Sequence, residues 1–110
     1  IIHVLGLRKT LAENHPWLPG TLEKAFEQSK VAALAKLSDT SATKVTLPFV
    51  EEQLKAAQET MGADYWGYGV ESSRQTLEAF THHHHAQGLS SRRVAVEELF
   101  HPSTYETFKL

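Results

Sequence analysis

Ile1-Ile2-His3-Val4-Leu5-Gly6-Leu7-Arg8 opens the chain, and the fold class turns on how this stretch is read. Short, aliphatic and β-branched, it predicts a buried strand over residues 1–8, weakened locally by Gly6. One strand cannot satisfy its own backbone N–H and C=O groups, so it demands a pairing partner. The remaining residues predict helices, turns and only a brief extended piece near the end. The partner is therefore expected in further polypeptide, a missing N-terminal lobe, or in a second copy joined through this strand. The first residue is not Met, and Met61 is the sole methionine. A core-like segment at the very start reads as a fragment cut inside a fold.

After that strand, Lys9 to Asn14 predicts one or two helical turns. They stop before His15-Pro16, because a residue preceding proline is pushed from helical angles. A long helix is predicted over 16–37, with Pro16 and Pro19 in its first turn, where a missing N–H has no intrahelical partner. Leu22, Phe26, Ser29, Ala33 and Leu37 recur at helical steps on the face expected to pack. Glu23, Lys24, Glu27 and Lys30 occupy the face expected to be solvated. A polar linker over 38–46 leads to a helix over 48–61, striped by Val50, Leu54, Ala57 and Met61 and stopped by Gly62. The loop Ala63-Asp64-Tyr65-Trp66-Gly67-Tyr68-Gly69 then opens a helix over 70–87. Val70, Ser73, Leu77, Phe80 and His84 lie along one side of it, and Gly88 ends it. The tail, 94–110, predicts an extended piece and a helical turn, with Ser103 and Glu106 at capping-box spacing. The expected architecture is mainly α-helical with one N-terminal strand.

Composition narrows the function. Of the 110 residues, 41% are hydrophobic and 22% charged, as in a folded soluble domain. Eleven Lys and Arg against thirteen Asp and Glu leave a formal charge of −2. That argues against a nucleic acid or anionic membrane held by bulk electrostatics. No apolar run approaches the roughly 20 residues of a bilayer span, and no signal-peptide pattern opens the chain; a cytoplasmic location is expected, although a cysteine-free secreted protein with its signal removed would read the same. Zero cysteines exclude disulfides, a thiol nucleophile and a cysteine zinc site. Neither a G-x-S-x-G elbow nor a phosphate loop is present.

Four places could carry chemistry. His82-His83-His84-His85 lies within a predicted helix, where consecutive residues point about 100° apart. Only His82 and His85 share a face, so a solvated helix face is the preferred reading and neither metal nor cofactor is expected. In the aromatic-glycine loop, flat rings and free N–H groups at a helix start carrying Glu71 and Arg74 suit a small aromatic anion. The same residues would also serve as a hydrophobic plug between helices. His3, on the predicted strand, is either a hydrogen-bonded core residue or a proton donor. Arg8, at the strand end, either pairs with a carboxylate or marks the surface.

These segments together resemble the C-terminal part of the 4,5-dihydroxyphthalate decarboxylase family. The likeness lies in Ile2-His3-Val4 with Leu7-Arg8-Lys9, and in His15-Pro16-Trp17-Leu18 leading to Leu22-Glu23-Lys24-Ala25-Phe26. It continues through Tyr65-Trp66-Gly67-Tyr68-Gly69-Val70-Glu71 with Arg74, Thr76, Leu77 and Glu78. Gln87-Gly88-Leu89-Ser90 and Val96-Glu97-Glu98-Leu99-Phe100-His101-Pro102 complete it. Residues 38–46 and the four histidines fit the pattern loosely, and family members are much longer chains.

The resemblance implies a parent fold like the type 2 periplasmic binding proteins, two α/β lobes around a ligand cleft. It implies an aromatic carboxylate as substrate, CO2 release from 4,5-dihydroxyphthalate to give 3,4-dihydroxybenzoate, and no cofactor. Such chemistry needs a positioned acid and a cradle for a dianion. Under this resemblance His3 is the candidate acid, Arg8 the carboxylate partner, and Tyr68 with the Gly69 backbone the substrate contacts. A solute-binding protein of the same fold, holding an aromatic acid without transforming it, is the alternative. The 110 residues alone are expected to be inactive.

Overall fold

The computed structural model describes residues 3–39, 41 and 46–105. Four α-helices follow in order: α1 (Lys9–Asn14), α2 (Leu18–Leu37), α3 (Val50–Met61) and α4 (Val70–Ala86). Two single 3-10 turns, Val96–Glu98 and Pro102–Thr104, complete the described elements.

The strand predicted over residues 1–8 is not formed. Ile1 and Ile2 lie outside the described residues. Residues 3–8 carry no regular secondary structure, and Val4 and Leu5 are 70% and 62% exposed. The physical reason is that β-structure is a pairing, and no strand among the described residues offers it a ladder. The described protein is helical.

Helix boundaries follow from prolines and glycines. α2 starts at Leu18 rather than at residue 16, because His15, Pro16 and Trp17 form a turn closed by the Leu18 N–H donating to the His15 carbonyl at 2.9 Å. Pro19 falls one residue further in, where its absent N–H costs nothing. α3 starts at Val50 rather than at 48. Phe49, left-handed at φ 61°, ψ 27°, separates it from Pro48. Gly62, at φ 90°, stops α3, and its N–H donates to the Gln58 carbonyl at 2.9 Å. After α4, the Gly88 N–H donates to the His85 carbonyl and the Leu89 N–H to the His84 carbonyl, a Schellman closure. Ser103 sits within the last 3-10 turn instead of capping a helix. The cap is His101, whose Nδ1 accepts from the Ser103 N–H at 3.3 Å, and Glu106 lies outside the described residues.

The chain divides into two compact units, Ile1–Lys24 with Tyr68–Leu110, and Ala25–Gly67. In the first, Val70 and Leu77 of α4 bury against Val96, with Phe100 and Tyr105 packed on that cluster. Thr81 extends the buried stripe, whereas Phe80, expected on it, is exposed. Gly20 of α2 lies so close to Ser103 that a Cβ there would sit 3.5 Å from its carbonyl oxygen, an ordinary contact. In the second unit, Val50, Leu54 and Ala57 of α3 are half-buried, as are Leu34 and Leu37 of α2.

The two faces of α2 depart from expectation. Phe26, on the face predicted to pack, is 48% exposed, and Ala33 is exposed. Lys30, on the face predicted to be solvated, is only 8% exposed, and Glu23 and Glu27 are half-buried. Charge pairing, alongside its leucines, thus decides part of what this helix buries.

Candidate functional site

Gly69 caps α4 at φ 96°, ψ 165°, a conformation that a Cβ would resist. Because glycine has no side chain, the cap itself supplies no acceptor to the first-turn N–H groups. The Ser72 hydroxyl donates back to the Tyr68 carbonyl at 2.7 Å, with the Gly69 carbonyl a longer, shared acceptor at 3.2 Å. Tyr68 and Gly69, the two predicted substrate contacts, are thus held together at the start of α4. Both are half-buried.

Arg74, one turn further along, is committed to carboxylates. Its Nε donates to Glu71 at 3.1 and 3.2 Å, and its Nη1 donates to Glu97 at 2.7 Å. Glu78 stands 3.7 Å away. Glu71 and Glu97 raise the Arg74 pKa further, while Arg74 holds both carboxyls below their ordinary value. A guanidinium so engaged ties α4 to the 3-10 turn at Val96–Glu98 and is not free to clamp a substrate carboxylate. Tyr105 adds to the same tie, its hydroxyl donating to the Glu97 carbonyl at 2.7 Å.

The neighbouring Glu98 receives Arg92 at 2.7 and 2.9 Å and the Ala95 N–H at 2.8 Å. An open cleft of ≈ 280 Å³ runs beside these residues, lined by Glu78, Thr81, Arg93, Val94, Ala95, Val96 and Glu97. None of the four predicted site residues lines it. The Arg74–Glu97 and Arg92–Glu98 pairs join residues that no local sequence signal associates, since Ala95 lacks the hydroxyl that would mark a capping box ending at Glu98.

His3 and Arg8 belong to the N-terminal segment and are exposed. The Arg8 backbone starts α1, its carbonyl accepting from the Leu11 and Ala12 N–H groups at 3.0 and 3.1 Å. In the histidine run, His82 and His83 pack ring against ring at 5.3 Å, His84 lies against Phe80, and His85 Nδ1 is 3.1 Å from the Ser90 carbonyl. Among the described residues no group of three His, Cys, Asp or Glu side chains could hold a metal ion. No described helix is long and apolar enough to cross a membrane.

No protein-family model matches the sequence. Among curated proteins, the chain is similar to a 4,5-dihydroxyphthalate decarboxylase of Comamonas testosteroni, 59% identical over 110 residues. That alignment takes in 100% of this chain and 33% of the relative, so the chain spans about a third of that protein's length. The resemblance read from separate motifs thus extends over the full length of this chain.

Proposed function

We propose that this chain, decarboxylase-like along its whole length, is part of an enzyme that releases CO2 from 4,5-dihydroxyphthalate and leaves 3,4-dihydroxybenzoate. The observation that carries the reading is the 59% identity over all 110 residues. The chemistry asks little of the protein beyond binding and one proton. A ring hydroxyl para to the departing carboxylate supplies electron density, and an acid delivers a proton to the ring carbon bearing that carboxylate. The carbon–carbon bond then breaks, its electron pair restores the aromatic ring, and CO2 departs.

In this reading His3 is the acid, Arg8 pairs with a substrate carboxylate, and Tyr68 with the Gly69 backbone contacts the ring. The exposure of His3 and Arg8 supports this, since both side chains remain available to a cleft completed by further polypeptide. The parent fold is a two-lobed α/β protein of the periplasmic-binding type, working in the cytoplasm. Its sheet takes in the apolar segment His3–Leu7, which finds no pairing strand among the described residues. Should that segment instead join a second copy of the chain, the enzyme is a homo-oligomer.

The test is CO2 release from 4,5-dihydroxyphthalate by the intact gene product and its His3→Gln variant. Loss of a general acid predicts a fall in kcat of about 10²–10⁴-fold with folding retained. Near-normal turnover removes His3 from the acid role. Tight binding of the dicarboxylate with no CO2 release by the unaltered protein replaces the enzyme with a solute-binding protein.

A further inference from the structure

Lys30 is the most buried charged side chain described, with 6% of its side-chain surface exposed, and the proposed chemistry makes no use of it. Its Nζ lies 2.8 Å from Glu27 Oε1 on the preceding turn of α2 and 3.0 Å from Asp64 Oδ1, thirty-four residues away. Asp64 belongs to the loop between α3 and α4, immediately before Tyr65 and Trp66. All five residues fall in the Ala25–Gly67 unit. Burial opposes the ammonium charge, but the hydrogen bonds to Glu27 and Asp64 outweigh it and hold the Lys30 pKa above its ordinary value. With two carboxylates on its ammonium, the group is suited to holding acidic partners in place. Glu27 Oε2 is buried without a hydrogen-bond partner, so the charge of Glu27 leans on Lys30.

We propose that Lys30 is a positioning residue, a latch whose buried cation fixes the loop of residues 62–67, with Tyr65 and Trp66, onto α2 through the largely exposed Asp64. The latch follows from geometry alone. Its bearing on substrate binding rests on the decarboxylase reading, because that loop runs directly into Tyr68 and Gly69. Lysine is the fitting residue: a compact cation on a long apolar stem reaches across a helix face while its stem stays buried.

The experiment uses the intact gene product and three variants, Lys30→Met, Lys30→Arg and Asp64→Asn. Backbone hydrogen exchange reads the latch without substrate. Lys30→Met and Asp64→Asn are expected to speed exchange over residues 62–67 about tenfold or more, while α4 keeps its protection. Lys30→Arg, which keeps the charge, retains most of the protection. Asp64→Asn leaves the Lys30–Glu27 pair intact and so remains decisive if Lys30→Met fails to fold. With 4,5-dihydroxyphthalate, KM is expected to rise about tenfold in Asp64→Asn with kcat little changed. Unchanged exchange over 62–67 in Asp64→Asn overturns the latch. A loosened loop with unaltered KM overturns the positioning role. A loosened loop in a protein whose unaltered form releases no CO2 leaves the latch standing and sinks the decarboxylase reading.

Discussion

Arg92 and the Ala95 N–H converge on the Glu98 carboxylate, and together they push its pKa down to about 2. The folded value lies below the unfolded one, so the stabilising contribution is complete above about 4.5 and is lost as pH falls through about 2. A carbon-detected NMR titration of the Glu98 carboxyl is expected to show its midpoint near 2. Arg92→Gln should return that midpoint toward the ordinary carboxylate range, and a midpoint unmoved by the substitution would contradict the pairing. Such residue-scale detail was only partly legible in the sequence. Glu71 and Arg74 stand three apart on one predicted helix, so their pairing could be anticipated. Glu97 lies twenty-three residues beyond Arg74, and only the fold brings them together. Lys30 misled for the same reason: its partner Asp64 is remote, and a lysine among glutamates reads as surface.

Phe49 shows how an element begins under strain. It precedes α3 in the left-handed conformation, where a Cβ and a bulky ring are disfavoured, and its side chain is largely exposed. Phe49→Gly should relieve that strain while losing little packing, stabilising the fold by about 1 kcal/mol. Urea unfolding would register this as a higher midpoint at unchanged slope, and a lower midpoint would show that the ring packs after all. The helices themselves were legible because their signals are local. Apolar spacing, prolines near the starts, and Gly62 and Gly88 past the ends act within a few residues of the boundary. The shifts at Leu18 and Val50 come from turns that precede each helix, which periodicity does not register. The strand was illegible for the opposite reason, because an extended segment becomes a strand only when something pairs with it.

The described residues expose more large apolar side chains than their buried cluster of Val70, Leu77 and Val96 contains. Val4, Leu5 and Trp17 stand open, and so do Phe49, Met61 and Trp66. The 110 residues alone are therefore expected to self-associate with rising concentration in sedimentation velocity runs. In the intact gene product the amides of residues 3–7 are expected to resist exchange. A strictly monomeric chain of 110 residues at high concentration would remove the case for a missing partner. The candidate site was legible only as separate pieces, since spacing marked the aromatic-glycine loop but nothing local in the sequence joins it to His3 and Arg8. One helix carries a practical consequence. Because α2 shelters Lys30 and Glu27 while leaving Phe26 and Val31 open, a randomised library that spares its hydrophobic positions and diversifies its charged ones would scramble the part least able to absorb change.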